Sequence, residues 1–501
     1  MNGSNEFTVP NEKLTPELLG LSPEDMAGRE KLIQYVHGYD SSVNGQGKSE
    51  LKKRKWILGP IVNSRPLVIP YEDLRSIIFV GANDGMLHAF DNATGEELWG
   101  FIPYELLGRL KDLTGGNSFK YFVDGSPKAY VTDSQKIIIF GLGKGGDHYY
   151  ALDVTKPDSP KLLWAIGPET TGFSELGQSW STPHIGKLKI ETGKKVAAFI
   201  GGGYDENQDR KTLTTGDKKG RAVYAIDVLS GAQIWRWDHG KDGNMSFSIP
   251  SEISCVDTNG DGYIDRLYVG DTGGRLWRFD IKESGPNTWS AKVIFDTNSN
   301  ITTGGKRKIF YHPDVTLEKE YEMVFFGTTD RENPGEIKTI NQIYGIKDKG
   351  LDSILSMKDL ENVTFGVSDL KTLEGKEGWF INLEENKGEK ALGPPVVIFG
   401  VAYFSTFTPS INSTGGIARL YAVNHRSSNP ILNLNPSNDQ DRVKIDLSDR
   451  SKVIGAGMPS NTVISALDGR FIAFTGFSGG VYNTPLRRNT TIIPVWWRQV
   501  Y

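Results

Sequence analysis

The chain is almost without cysteine, holding only Cys255 among 501 residues. It can therefore form no internal disulfide and no cysteine-based metal site. Long apolar runs are missing as well: none approaches the roughly 20 residues that a membrane helix requires, so no span is expected. Charge is close to balanced, with 57 Lys and Arg against 61 Asp and Glu and a formal net charge of −4. That balance leaves no overall electrostatic footprint for nucleic acid or an anionic membrane. The one basic run, Lys52-Lys53-Arg54-Lys55 before Trp56, reads as a solvated loop. Seven scattered histidines include no His-x-x-x-His zinc pair. A Gly-x-Ser-x-Gly elbow and a Walker loop are also lacking, so no catalytic residue is assigned. The opening Met1-Asn-Gly-Ser-Asn-Glu6 has neither the basic nor the apolar region of a signal peptide. Either a cytosolic protein or a piece of a longer one is expected.

Glycine is abundant, at 58 residues, and separates short β-type runs from about Ser64 onward. The first 63 residues differ and read as an N-terminal helical arm and lead-in segment. There Ser22-Pro23-Glu24-Asp25 has the form of a helix start, with serine as N-cap and proline at the first helical position. Met26, Leu32, Ile33 and Val36 would supply the apolar face, and Gly38 the stop.

Residues 64–501 repeat. Ala89-Phe-Asp91-Asn-Ala-Thr94-Gly95-Glu-Glu-Leu-Trp99 has a near twin in Ala225-Ile-Asp227-Val-Leu-Ser230-Gly231-Ala-Gln-Ile-Trp235. A third copy runs from Ala151 to Trp164, and weaker ones surround Asp280, Lys347 and Asn424. Apolar strands closed by glycine precede them, such as Ile77–Gly81, Ile137–Gly141 and Met323–Gly327. Repeats roughly 50 to 77 residues apart indicate four-stranded blades with long inserted loops. The expected fold is an all-β propeller of seven blades, six or eight being the alternatives. Long insertions are expected at Tyr204–Lys219, Asp330–Thr339 and Leu432–Ser451. Gly141-Leu-Gly143-Lys-Gly145-Gly146 resembles a phosphate cradle, but it precedes a strand where such a cradle needs a helix, so a blade turn is expected.

The stretch with most chemistry is Asp257-Thr-Asn259-Gly-Asp261-Gly262-Tyr263-Ile264-Asp265. Oxygen side chains stand at positions 1, 3, 5 and 9, with glycine at 6 for a sharp turn and the Tyr263 carbonyl at 7. This spacing wraps hard oxygen donors around Ca²⁺. Position 12 is Tyr268 instead of glutamate, so the loop is shorter than an EF-hand and leads into a strand. A plain acidic turn is the alternative. Asp205-Glu-Asn-Gln-Asp209 is weighed as a second cation site, with a solvated loop as the default.

Two families share this patterning. The Ala-x-Asp-x-x-Thr/Ser-Gly-x-x-x-Trp repeat resembles that of pyrroloquinoline-quinone dehydrogenases, where the tryptophan docks one blade on the next. Those enzymes often carry a vicinal disulfide that a lone cysteine cannot form, so this is the runner-up. A longer series of segments resembles the C-terminal propeller of the PilY/PilC family of type IV pilus biogenesis factors and tip adhesins. They are Arg29–Gly38, Trp56–Gly59 with Ser64-Arg-Pro66, Val80–Asp91, Gly270–Asp280 after the acidic loop, Phe325–Thr328, Gly378-Trp379 and Trp497-Arg498. Pro60 and Asn63 depart from the family's Asp and His, and Thr408–Asn412 lacks its cysteines. The resemblance implies a non-enzymatic protein exported to the cell surface, pilus tip, periplasm or outer membrane. It implies pilins and minor pilins as partners, with host or abiotic surfaces reached through a separate N-terminal region. It also implies Ca²⁺ bound by Asp257, Asn259, Asp261, Tyr263 and Asp265, with an effect on pilus extension against retraction (twitching motility).

Overall fold

The computed structural model describes residues 6–43, 49–72, 74–115, 119–209, 216–299, 305–366, 373–411, 415–436, 444–467 and 470–485. Trp497 and Arg498 lie outside them. Two compact units are distinguished, Met1–Ile185 with Val196–Tyr204 and Tyr224–Arg236, and Gly186–Lys195 with Asp205–Val223 and Trp237–Tyr501.

Among the described residues there are seven sheets of three to five strands and one separate two-stranded hairpin. The first unit holds the sheet of Leu67–Pro70, Ser76–Gly81, Leu87–Asp91 and Glu97–Phe101, and that of Lys128–Val131, Lys136–Gly141, Tyr149–Asp153 and Lys161–Ile166. The strands His184–Ile190, Gly193–Gly201, Ala222–Asp227 and Gln233–Asp238 form the third sheet. The second unit holds the sheet of Ser254–Val256, Arg266–Gly270, Arg275–Asp280 and Ser290–Asp296, then three further sheets. This repeated meander is a β-propeller pattern, and seven sheets fit the seven-bladed expectation.

In four of the sheets a proline stands immediately before the first strand: Pro66, Pro127, Pro183 and Pro313. Proline has no N–H to donate, so it belongs just ahead of an edge strand. The glycines that close the second strands of the first two sheets have another cause. A Cβ on Gly81 would lie 2.5 Å from the Val123 carbonyl oxygen, and one on Gly141 would lie 2.7 Å from that of Ser179. The next segment of chain occupies the space a side chain would need.

Alternation then fills both faces of each sheet. Phe325 points into a cluster with Trp379 and Phe404, while adjacent Phe326 joins Phe295 and Tyr344 on the other side. In the repeat turn, Asp91 accepts from the amides of Ala93 and Thr94, and Asp227 accepts from those of Leu229 and Ser230. The repeat tryptophans link neighbours: Trp99 Nε1 donates to Pro157 O at 2.7 Å, and Trp164 Nε1 to Val228 O at 2.9 Å. The Gly-rich segment forms a short 3₁₀ turn, Gly143–Gly145, leading into Tyr149–Asp153, so it is a turn between strands.

The arm corrects one expectation. Its helix is Met26–Val36, capped by Asp25, whose carboxylate accepts from Gly28 N at 2.8 Å. Ser22 instead starts a turn, its carbonyl accepting from Asp25 N, and that local turn leaves Pro23 outside the helix. Met26 is exposed, whereas Leu32 and Ile33 are buried against Leu14, Leu19, Leu107 and Leu110. The last two belong to a ten-residue 3₁₀ helix, Tyr104–Leu113, that the sequence reading did not anticipate.

Candidate metal centre

The acidic loop leaves an antiparallel pair whose last rung is Val256 opposite Arg266. Asp265 N still donates to Val256 O, so residues 257–264 project beyond the ladder. Three side chains then fold over their own backbone. Asp257 accepts from the amides of Gly260 at 2.6 Å, Asp261 at 3.2 Å and Gly262 at 2.7 Å. Asn259 Oδ1 accepts from Asp261 N at 2.9 Å, and Asp261 Oδ1 from Tyr263 N at 3.0 Å. Gly260 and Gly262 sit at φ +81° and +86°, a region where a side chain adds strain. A Cβ at Gly262 would meet open space, so the glycine there serves the backbone turn.

Asp265 is the anchor. Both its oxygens accept from the amide and the hydroxyl of Thr258, at 2.9 to 3.2 Å. Burial raises its pKa, and the Thr258 hydrogen bonds and Arg266 oppose that rise. Thr258 was missed in the sequence reading; its place beside Asp257 gave no signal without the fold. The neighbouring hairpin also contributes. Ile264 N donates to Lys187 O, and Lys194 Nζ lies 5.5 Å from the centre of the Tyr263 ring. Lys189 pairs with Glu283 at 2.7 Å, and its pKa is raised chiefly by that partner, with Asp261 adding to the effect.

The donor set is three carboxylates, one amide oxygen and one main-chain carbonyl, with no sulfur or imidazole. Hard oxygen donors of this kind suit Ca²⁺ over softer metals. Asp257, Asn259 and Asp261 each accept from amides of the loop itself, and Asp265 closes it against Thr258. Among the described residues, no three His, Cys, Asp or Glu side chains are grouped closely enough to hold an ion.

The weighed second site is built differently. Asp205 accepts from the amides of Asn207, Lys218 and Lys219 at 2.7 to 2.9 Å. Its carboxylate is thus engaged in closing its own loop.

The sequence profile of the PilY1 β-propeller domain matches residues 63–375, well over half of the chain. The chain belongs to the PilY1 β-propeller family. A type IV pilus biogenesis factor PilY1 homolog of Xylella fastidiosa is 27% identical over 402 residues, covering 71% of this chain and 26% of the relative. PilY1 of Pseudomonas aeruginosa is 34% identical over 269 residues, covering 47% of this chain and 22% of the relative. The chain therefore spans about a quarter of the length of these PilY1 relatives. The crystal structure of the P. aeruginosa PilY1 C-terminal domain superposes with a TM-score of 0.60 at 22% identity, covering 82% of this chain and 92% of that one. This likeness shows the propeller fold. Quinohemoprotein alcohol dehydrogenase ADH IIB of Pseudomonas putida is 23% identical over 259 residues, covering 46% of this chain and 36% of that enzyme. The dehydrogenase reading therefore has the weaker likeness.

Asn63 is held by Asp124. Its side-chain amide donates to Asp124 Oδ2 at 2.6 Å and its backbone amide to Asp124 Oδ1 at 3.2 Å. Asn83 N donates to Pro60 O, so the lead-in stays tied to the first two sheets.

Proposed function

We propose that this chain is the propeller of a type IV pilus assembly factor that binds Ca²⁺ at residues 257–265 and acts without catalysis. The observation that carries the pilus role is the match of residues 63–375 to the PilY1 propeller. In this reading the protein is exported and works at the cell surface or pilus tip. Its partners are pilins and minor pilins, and attachment to host or abiotic surfaces resides in other parts of the whole protein.

The loop supports the calcium part of the reading. Asp257, Asn259, Asp261 and Asp265, with the Tyr263 carbonyl, would hold the ion; Ca²⁺ would draw the three carboxylates of the loop together, neutralise them and stiffen the strand connection that carries them. The remaining residues order the site: Thr258 fixes Asp265, and Ile264 ties the loop to Lys187.

Deleting the gene in its host is expected to reduce surface pili and twitching, and normal piliation with normal twitching refutes the pilus role. Calorimetric titration of metal-stripped protein tests the ion separately. One saturable Ca²⁺ site, lost in Asp261→Ala, is expected; no heat in either protein removes calcium while leaving the pilus question intact.

A further inference from the structure

The arm concentrates exposed apolar and basic side chains in a way the charge balance of the whole chain conceals. The separate hairpin pairs Tyr39–Val43 with Ser49–Lys53 and runs on into the lead-in segment. Arg54 is the structural member of its basic run. Its N–H donates to Gly38 O, and its guanidinium donates to Tyr35 O at 2.8 Å while lying 3.9 Å over the Tyr35 ring. The cations on either side, Lys52, Lys53 and Lys55, are exposed. Trp56 is 78% exposed, the highest value for any tryptophan among the described residues, and Leu51 and Ile57 are exposed beside it. A second apolar step follows at Ile61 and Val62, both exposed. Asp40 and Glu50 are the acids on the same hairpin, so positive charge remains in excess there.

Folded chains rarely leave so many large apolar side chains together in water. Here Trp56 and Ile57 follow directly on the lysine run, with Leu51 just ahead of it. Tryptophan is suited to the headgroup level of a bilayer, and lysine to anionic headgroups. The basic run and the exposed tryptophan beside it thus match the two layers of an anionic bilayer surface, charge for the headgroups and an apolar ring for the interface; vesicle flotation separates this from an acidic protein partner. We propose that Leu51–Val62 is a surface for anionic lipid, on which Lys52, Lys53 and Lys55 supply attraction and Trp56 enters the interface. This revises the reading of the basic run as a solvated loop. It stands independently of the calcium loop and of the pilus role.

The test is flotation of the purified chain with vesicles, either pure phosphatidylcholine or a mixture with phosphatidylglycerol, at low and high salt. Binding to the anionic vesicles alone, weakened by salt, is expected. Each lysine near an anionic surface contributes roughly fivefold in affinity, so Lys52→Glu with Lys53→Glu should reduce binding at least about twentyfold. Trp56→Ala should reduce binding at both salt concentrations, because its part is apolar. All these side chains are exposed, and unchanged thermal unfolding of the variants checks that they fold. Equal binding to both vesicle types, binding unaffected by the lysine variant, or no flotation at all overturns the proposal. The last result would turn attention to an acidic protein surface.

Discussion

Gly95 and Gly231 hold the same place in the repeat and have nearly the same backbone, φ +74° and +72°, yet replacing them by alanine should cost very different amounts. A Cβ at Gly95 meets nothing within 4 Å. Gly95→Ala therefore bears only the left-handed backbone, about 1 kcal/mol. A Cβ at Gly231 would lie 2.7 Å from Cγ of Trp164 and 3.0 Å from its Cβ and Cδ2. The ring cannot simply tilt away, because it is buried and its Nε1 is held at 2.9 Å by Val228 O. Crowding of this kind costs about 1–3 kcal/mol, so Gly231→Ala should lose roughly 2–5 kcal/mol in total. Both positions lie in the same compact unit, and urea unfolding followed by circular dichroism compares them directly. Trp164→Ala, which removes Cγ and Cδ2 and leaves only the Cβ contact at 3.0 Å, should bring the cost at Gly231 most of the way down to that at Gly95. Equal losses at the two glycines, or a loss at Gly231 indifferent to Trp164→Ala, would refute the docking role of the tryptophan.

Two further outcomes are expected. His88 is buried between Asp84 and Glu97, its Nδ1 2.6 Å from Glu97 and its Nε2 3.1 Å from Asp84. Burial pulls its pKa down, but the two carboxylates win and raise it to about 9. Because the folded value lies above the unfolded one, this stabilisation is full below about pH 6.5 and fades as pH rises through about 9. His88→Gln should flatten that part of the stability profile, by roughly 3 kcal/mol between its ends; an unchanged slope between pH 6 and 10 argues against the pairing. The calcium reading predicts a ligand-linked stabilisation of about 2.7 kcal/mol at a hundredfold excess over Kd. It should be absent in Asp257→Ala, and equal shifts in both proteins would place the ion elsewhere.

The repeat was legible because its signals are local. Asp91 and Asp227 each accept from the amides two and three residues on, which spacing alone foretells. The four prolines directly ahead of first strands, Pro66, Pro127, Pro183 and Pro313, were equally local and were overlooked. The start of the arm's helix was misread because Ser22-Pro23 and Asp25 are both competent starts, and only the Asp25 bond to Gly28 N decides between them. The long 3₁₀ helix had no sequence signal of comparable strength, since Leu106, Leu107 and Leu110 are ordered by burial. At the acidic loop the donors were readable, but Thr258, Lys187 and Lys194 were not, because two of them come from another hairpin.

On the proposed calcium reading, topology predicts where the ion would act. In an antiparallel meander, connections between strands one and two lie at the opposite end from those between strands two and three. The acidic loop is of the first kind, and the Asp330–Thr339 insertion is of the second. That insertion is held by protein cations: Lys390 Nζ donates to the carbonyls of Pro334 and Glu336 at 2.7 and 2.6 Å, and Lys308 pairs with Asp330 at 2.9 Å. Hydrogen exchange with and without Ca²⁺ should therefore slow at residues 257–265 and at 186–195, which the loop touches through Lys187 and Lys194. Exchange at 330–339 should be unchanged. Equal slowing at the insertion would mean that the ion orders the whole unit, and the local view of the switch would be wrong.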